Sequence, residues 1–282
     1  MIALIAITVQ PLTVLADLLL FENFEATANG DYFGDVDVSG QWGSAGYTKS
    51  EAPISSSGDL DASGTDLMPS SGNGKLSMNS PTDTERGTLA LAAASKWTNV
   101  VSGGLYTSFL LNVTDVAGLN TNWTCGDDIL SLGSMGHNLF CMRNDENGGY
   151  VAAISSRTIY MGSDVRASAD IPMTTNTVYL IVMGTDDVTS ESNDAFKLWV
   201  NPVIDAAIPT PTTACKLSLT YTTFTSINMP NSCNQTNSSV LTDVYIDELR
   251  VGTSWDDVTP VPEPALLGLL GLGILAWIRK KY

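Results

Sequence analysis

The sequence predicts an all-β protein built as an antiparallel β-sandwich, and three observations carry this prediction. Short segments with alternating apolar residues recur along the chain, as at Phe109, Leu111 and Val113. Clusters of Gly, Asn, Asp, Ser and Pro separate these segments. Between the two ends of the chain, no stretch keeps a helical period over three turns. Many short strands without strand–helix alternation are typical of two packed antiparallel sheets.

The strands are predicted in order from these patterns. An opening strand covers residues 18–25, and residues 50–87 are predicted to be long surface loops that hold one short strand around Lys75–Met78. The later predicted strands are 109–113, 150–154, 158–161, 178–183, 196–200, 217–221 and 244–251. Residues 178–183 are apolar on both faces, which predicts a central strand. In the last strand, Tyr245, Asp247, Leu249 and Val251 are predicted to alternate with Val244, Ile246, Glu248 and Arg250.

Composition limits the partners of this chain. Its 282 residues carry 30 acidic and 13 basic side chains, for a formal charge of −17. Such a surface repels nucleic acid and anionic membranes. It suits solubility outside the cell and offers oxygen ligands to hard cations such as calcium.

The first 16 residues are nearly all apolar and end in Val14-Leu15-Ala16, which has small residues at the positions that a signal peptidase reads. They predict a signal peptide over residues 1–16. A basic segment does not precede the apolar one, so either the true start lies upstream or the signal is weak.

The C-terminal residues have three parts. Pro262-Glu263-Pro264 precedes the apolar run 265–278, and Arg279-Lys280-Lys281 follows it. A helix over this run would span about 21 Å, short of a hydrocarbon core of about 30 Å. The cations orient the body away from the cytoplasm. The alternative is an ordinary C-terminal membrane tail.

This ending resembles the PEP-CTERM sorting signal of Gram-negative bacteria. The resemblance implies that an exosortase recognises residues 260–282 and cleaves near Pro262–Pro264. It also implies transient inner-membrane anchoring through the apolar helix and delivery to the cell surface or extracellular matrix. The body of the protein is then residues 17–259.

Four cysteines form two sequence-local pairs, Cys125 with Cys141 and Cys215 with Cys233. In an exported protein, an even number of cysteines predicts disulfides, with three possible connectivities. Local pairing would close two short loops, each contributing roughly 3 kcal/mol in the chain-entropy account. A zinc site is the alternative, but the sequence has no Cys-x-x-Cys and one histidine.

Three segments resemble the concanavalin A-like, laminin G-like jelly roll: Phe21-Glu22-Asn23-Phe24, Leu198-Trp199-Val200-Asn201-Pro202 and Ile246-Asp247-Glu248-Leu249-Arg250-Val251-Gly252. The resemblance covers residues 17–259. It implies that the first and last strands pair, which would bring Glu22 near Asp247. It also implies that these two acids hold a structural calcium ion.

Proteins with this fold include glucanases as well as lectins, so catalysis or binding has to be inferred from individual residues and not from the fold. The glucanase pattern Glu-x-Asp-x-x-Glu is absent. Asp247 and Glu248 are adjacent and are predicted to point to opposite faces of their strand. His137 lies in a loop-like context without an evident nucleophile. The acidic loops around Asp145 and Asp186 are predicted to be solvated turns.

The sequence therefore predicts a non-catalytic surface or matrix protein that binds extracellular polysaccharide or a protein partner. Aromatic residues in polar surroundings, which are Trp42, Tyr47, Trp97, Trp123 and Tyr160, are candidates for sugar contacts. The alternatives are a secreted glycan-active enzyme with an unfamiliar acid pair and a purely structural spacer.

Overall fold

A computed structural model describes residues 18–22, 43–44, 54–57, 60, 74–77, 85–90, 103–121, 127–132, 137–157, 169–187, 195–204, 207–216, 226–231 and 243–259. The strands in chain order are β1 (Leu18–Glu22), β2 (Gly43–Ser44), β3 (Ile54–Ser57), β4 (Gly74–Ser77), β5 (Glu85–Ala90), β6 (Leu105–Val113), β7 (Asp127–Leu132), β8 (His137–Asn144), β9 (Tyr150–Arg157), β10 (Ile171–Met173), β11 (Val178–Thr185), β12 (Ala195–Val200), β13 (Thr213–Lys216), β14 (Ser226–Asn231) and β15 (Val244–Gly252). One short helix, α1 (Trp255–Val258), follows β15.

Within these ranges the strands form two antiparallel sheets, as the sequence predicts. The eight-stranded sheet has the order β13-β12-β11-β6-β15-β4-β3, and β1 also pairs with β15. The seven-stranded sheet has the order β10-β9-β8-β7-β14-β5-β2. The antiparallel β-sandwich is therefore confirmed.

The main core lies between the two sheets. Phe109, Leu111 and Val113 of β6 share one buried face, as their alternation predicts. The ring of Phe109 meets that of Phe140 on β8 edge to face, with centroids 5.5 Å apart. Each such side chain contributes roughly 1.5–3 kcal/mol by leaving water, so this layer dominates the stability of the sandwich.

Pairing of the strands follows the predictions in part. β11 pairs with β6 on one side and β12 on the other, which confirms a central strand at residues 178–183. β1 pairs with β15, so the first and last strands of the described chain are neighbours. Residues 50–87 hold β3, β4 and the start of β5, so the prediction of a single short strand there is wrong. Their Ser- and Gly-rich sequences lack the apolar alternation that would have revealed them.

Two further predictions need correction. His137 begins strand β8 and does not lie in a loop. In β15 the predicted alternation breaks, because Val244, Ile246, Leu249 and Val251 all belong to the main core. The break is a β-bulge between Asp247 and Arg250. It shifts the alternation by one residue, so that the side chains after it face the opposite side of the sheet from the one predicted.

Several predicted features lie outside the described residues. They are the signal peptide at 1–16, the strands at 158–161 and 217–221, the five candidate sugar-binding aromatics and the apolar helix at 265–278. Among the helices of the described ranges, none has the length and hydropathy to cross a membrane.

The outer face of the eight-stranded sheet carries a second apolar cluster. Tyr106, Leu110, Leu180, Val182 and Trp199 project from β6, β11 and β12. Leu60, Trp255 and Val258 belong to the same cluster from outside the strands and are buried with it. This outer face is therefore closed off from solvent where the C-terminal end of the body lies on it.

On the outer face of the seven-stranded sheet, β8 and β9 carry a cluster of small or aliphatic residues. Cys141 on β8 and Val151 and Ala153 on β9 form a buried cluster of their own, separate from the main core. Cys141 is the cross-strand partner of Ala153, so the two side chains share this face. Among the residues that the structure describes, these positions offer no exposed aromatic ring to a sugar.

In the segment Leu198–Pro202, hydrogen bonds of Asn201 determine where β12 ends. Asn201 takes a left-handed backbone (φ 47°), which Asn tolerates better than most residues. Its backbone N–H donates to the Leu180 carbonyl at 2.8 Å. Its side-chain oxygen accepts from the Leu180 N–H, also at 2.8 Å. Asn201 thus satisfies both backbone groups of Leu180 and ends the pairing of β12 with β11.

Candidate functional site

The seam between the first and last strands is the place where sequence analysis predicted a site. On one edge of β15, β4 pairs at Tyr245 and Ile246, and β1 pairs from Leu249 to Gly252. Asp247 and Glu248 lie between these two stretches. We define the seam as Phe21, Leu60, Asp247, Glu248 and Arg250.

Asp247 is wholly buried at the seam, with 0 % of its surface exposed. Its Oδ2 accepts the backbone N–H of Leu60 at 3.1 Å, although the two residues are 187 positions apart in sequence. Its Oδ1 accepts the N–H of Glu248 at 2.8 Å. A buried carboxylate is tolerated when hydrogen bonds satisfy it, and here they fasten the Leu60 region to the last strand.

Glu248 has an unusual backbone within the bulge. Its φ of 52° lies in the left-handed region, which costs a non-glycine residue about 1 kcal/mol or more. Its carboxylate is also wholly buried and lies 3.1 Å from the Arg250 guanidinium. That guanidinium stacks over the Phe21 ring at 4.4 Å from its centroid. The strained conformation therefore directs Glu248 to the same side of the sheet as Arg250.

The predicted calcium ion can be tested against the donors at the seam. Both oxygens of Asp247 accept a backbone N–H, which uses one lone pair of each. The Cα of Glu22 is paired with Leu249, two positions beyond Asp247, and the side chain of Glu22 is not among those that the structure describes. No group of three His, Cys, Asp or Glu residues that could hold a metal occurs among the described residues. A calcium ion between Glu22 and Asp247 stays a prediction.

The acidic loop at residues 144–149 connects β8 to β9. Asp145 Oδ1 accepts the backbone N–H of Asn147 at 2.7 Å and that of Gly149 at 2.9 Å. Glu146 is left-handed (φ 64°), and its N–H donates to the Asn144 side chain at 2.7 Å. The carboxylate thus organises its own turn, as Asp does in Asx turns.

Asp186 follows β11 and forms an ion pair with Lys197 of β12. The hydroxyl of Tyr106 donates to its other carboxylate oxygen. Partial burial acts to raise the pKa of Asp186. The hydrogen bonds from Lys197 and Tyr106 and the lysine charge outweigh burial, so this pKa lies below its ordinary value. Asp186 therefore serves to fix Lys197 and Tyr106.

The two described cysteines lie on opposite sides of a sheet. Cys141 is buried on the outer face of the seven-stranded sheet, and its sulfur lies 3.5 Å from the Ala153 carbonyl. Cys215 on β13 packs in the main core, where burial raises the pKa of its thiol to about 12. A direct Cys141–Cys215 bond is excluded, because the seven-stranded sheet lies between them. Cys125 and Cys233 lie outside the described residues, so the local pairings stay predictions.

A feature that sequence analysis missed lies at the end of the body. We call residues 253–259 the terminal clasp. Asp257 Oδ2 accepts the backbone N–H of Thr253 at 3.0 Å and that of Ser254 at 2.8 Å. The Ser254 hydroxyl accepts the Asp257 N–H in return at 3.3 Å, which completes a capping box. Gly252 precedes the clasp, and a Cβ there would overlap the Asp257 side chain.

The terminal clasp is fastened to the outer face of the eight-stranded sheet. The Trp255 ring packs against Trp199 at 4.9 Å between centroids. The Ser108 hydroxyl donates to the Val258 carbonyl at 2.5 Å. Thr259 is buried, and both its N–H and its hydroxyl donate to the Trp255 carbonyl, at 3.0 and 2.9 Å. The Ser-x-x-Asp spacing at 254–257 was the sequence signal that could have revealed this clasp.

Comparison with known proteins identifies the residues that follow the clasp. Residues 260–281 match the family described as the PEP-CTERM protein-sorting motif. This motif marks an exported protein that an exosortase sorts to the cell surface in Gram-negative bacteria. The chain matches none of the curated proteins compared with it.

Solved structures resemble the body at low identity. One is an endo-β-1,4-glucuronan lyase from the fungus Trichoderma reesei, with 11 % identity, a TM-score of 0.47 and coverage of 86 % of this chain and 99 % of that one. Another is a carbohydrate esterase of the Shiga toxin-encoding bacteriophage phi24B, with 9 % identity, a TM-score of 0.44 and coverage of 83 % and 100 %. The binding domain of botulinum neurotoxin serotype D has 12 % identity, a TM-score of 0.39 and coverage of 86 % and 49 %. These likenesses concern the fold alone.

Proposed function

We propose that this chain is an exported surface or matrix protein whose β-sandwich is separated from its C-terminal tail and acts by binding, without catalysis. The match of residues 260–281 to the sorting motif carries the proposal. That match begins directly after Thr259, the last residue of the terminal clasp. Cleavage near Pro262–Pro264 would leave every described strand and the clasp in the released body.

We propose further that the body is a concanavalin A-like jelly roll and that its ligand is a neutral extracellular polysaccharide or a protein partner. The formal charge of −17 favours a neutral polymer, because an acidic surface repels a polymer of uronic acids. A structural spacer that binds nothing is the simpler alternative.

Three of the described carboxylates have structural partners, which supports a role without catalysis for these three. A glycoside hydrolase needs two carboxyl groups, about 5–9 Å apart, that face the scissile bond. Asp247 accepts two backbone N–H groups, Glu248 pairs with Arg250, and Asp145 holds its own turn. Each of these acids has a structural task. The second candidate, a glycan-active enzyme, would need an acid pair drawn from other parts of the chain.

Two measurements test the proposal. Intact-mass analysis of the protein recovered from the envelope or medium should find a body that has lost Arg279–Tyr282. Mature protein that retains this end would contradict the sorting role. A glycan array run beside a hydrolysis assay should show binding of neutral polymers without cleavage. Release of sugar fragments would favour the enzyme, and binding of nothing would favour the spacer.

A further inference from the structure

The terminal clasp limits how far the sorting motif can lie from the folded body. Thr259 is buried, with 1 % of its surface exposed, and is tied to Trp255 by two hydrogen bonds. Three residues farther along the chain is Pro262, the start of Pro-Glu-Pro. Three extended residues span at most about 10–11 Å. While the clasp is closed, the sandwich therefore lies within about 11 Å of Pro262, the first residue of the motif at which cleavage is proposed.

We propose that the terminal clasp controls processing of this protein, because the exosortase acts on chains whose clasp has opened. This inference rests on the proposed sorting role. A processing enzyme has to hold substrate residues on both sides of the bond that it cleaves. Opening the clasp frees residues 253–259, so that the ten residues from 253 to 262 span up to about 33–36 Å. Only the longer chain segment of the open clasp keeps the bulky sandwich away from an enzyme at the membrane.

The clasp is built in a way that permits local opening. α1 is a single turn, too short to be stable alone, and most of its stability comes from packing on the sheet. The indole Nε1–H of Trp255 is buried with no hydrogen-bond partner among the described residues, so it gains a water partner when the clasp opens. No strand has to separate, because β15 ends at Gly252, before the clasp. Terminal segments with these properties open before the rest of a domain.

The rate of processing should therefore follow the population of open clasp. Pulse–chase labelling of the full chain, in a bacterium that carries an exosortase, measures this rate directly. Thr259→Val removes the hydroxyl bond to the Trp255 carbonyl and should raise the rate on the order of threefold to fivefold, which is the effect of one net hydrogen bond. Trp255→Ala should raise it about tenfold or more, since it removes the main apolar contact of the clasp.

Matched controls separate clasp opening from general destabilisation. Thr210→Val changes an exposed threonine and should leave the rate unchanged. Ile154→Val weakens the main core between the sheets, far from the clasp in the fold, and should also leave the rate unchanged. Should Ile154→Val speed processing as much as Thr259→Val does, global unfolding controls the reaction and the inference is wrong.

An insertion variant gives a test that does not depend on weakening the fold. Ten Gly and Ser residues inserted after Thr259 lengthen the chain between the clasp and the sorting motif while the clasp stays closed. This chain should be processed faster than the natural one, and Thr259→Val should add nothing to its rate. An insertion without effect, or a Thr259→Val effect of equal size in both chains, would overturn the inference. If neither the natural chain nor the extended one is processed, the proposed sorting role fails instead.

Discussion

The same dipeptide, Asp-Glu, occurs in two places in this sandwich, with a left-handed Glu in both and different surroundings. At the turn between β8 and β9, residues 145–149, which we call the hairpin, Asp145 accepts backbone N–H groups and Glu146 is left-handed. At the seam, Asp247 accepts backbone N–H groups and Glu248 is left-handed. In the hairpin pair, Glu146 is exposed and Asp145 is half-buried, and Asp145 organises residues within four positions of itself. The seam pair is buried and reaches a residue 187 positions away.

The stability lost when a carboxylate is removed depends on whether water can reach the N–H groups that it leaves without an acceptor. At the hairpin, the N–H of Asn147 is exposed, so water replaces the acceptor that it loses. At the seam, two backbone N–H groups would stay buried without a partner, and each such loss costs about 1–3 kcal/mol. Substitutions at the two places should therefore change the free energy of unfolding by different amounts.

The largest effect is expected from truncating the two aspartates. Asp247→Ala should destabilise the body by about 3 kcal/mol or more, because the Leu60 and Glu248 N–H groups lose their acceptor. Asp145→Ala should cost only about 1 kcal/mol, since the turn is solvated. The shift of the urea unfolding midpoint of the purified body measures both. Equal shifts would mean that burial does not distinguish the two carboxylates.

A local disulfide at Cys141 should contribute nearly as much, in the seven-stranded sheet that also holds the turn between β8 and β9. Asp128 is the cross-strand partner of Cys141, and Cys125 is three residues before Asp128 in sequence. A Cys125–Cys141 bond should add roughly 3 kcal/mol by closing its loop. Peptide mapping without reduction should find this pair and Cys215–Cys233. Free thiols in the secreted protein, or crossed pairs, would contradict the prediction.

Calcium would make the seam different from the hairpin in a further way. If Glu22 and Asp247 hold an ion at about 100 times its dissociation constant, it adds roughly 2.7 kcal/mol. A chelator should then lower the melting temperature of the body, and Glu22→Gln should abolish that response. Glu22 is a better probe than Asp247, whose replacement also removes structural hydrogen bonds. A melting temperature that the chelator leaves unchanged would show that the seam holds no calcium.

Replacing the left-handed glutamates by glycine should give effects of opposite sign. Glu146→Gly should stabilise the body by about 1 kcal/mol, because glycine adopts the positive φ without strain and the solvated side chain is dispensable. Glu248→Gly also relieves strain but leaves Arg250 without its buried carboxylate, so it should destabilise. The melting temperatures of both variants, compared with that of the natural protein, test this prediction. A stabilising Glu248→Gly would mean that the ion pair at the seam contributes little.

The smallest effect belongs to Asp186, which is partly exposed and paired with Lys197. Exposed pairs contribute at most about 1 kcal/mol. Because the folded-state pKa of Asp186 is lowered, this contribution is present above its ordinary pKa of about 4 and is lost as the pH falls through the lower folded value. Asp186→Asn should therefore lower the unfolding midpoint slightly at pH 7 and have no effect near pH 2. An equal effect at both values would rule out a role for its charge.

The hairpin and the seam also differ in how well the sequence predicts them. Asn144 to Gly148 is a turn pattern that sequence rules recognise, because every hydrogen bond of Asp145 is local. The alternation in β15 predicted its strand and, through the jelly-roll resemblance, its pairing with β1. It did not predict the bulge, because Glu248 carries no residue-type signal for a positive φ. The contact of Asp247 with Leu60 depends on the tertiary fold and has no local pattern.

The position of β15 has a consequence for how the protein acquires its structure during export. β15 lies between β6 and β1, so one edge of β6 and the described pairing edge of β1 find their partner only when the last strand of the body has arrived. Contacts of such long sequence separation form late and slowly. Until then, the earlier strands of the exported chain keep unpaired edges. Unpaired strand edges promote aggregation of β proteins. Chains that each carry 30 acidic and 13 basic residues repel one another, and this repulsion opposes aggregation of the unfolded protein. We therefore expect the acidity of the sequence to help the protein remain soluble while it folds.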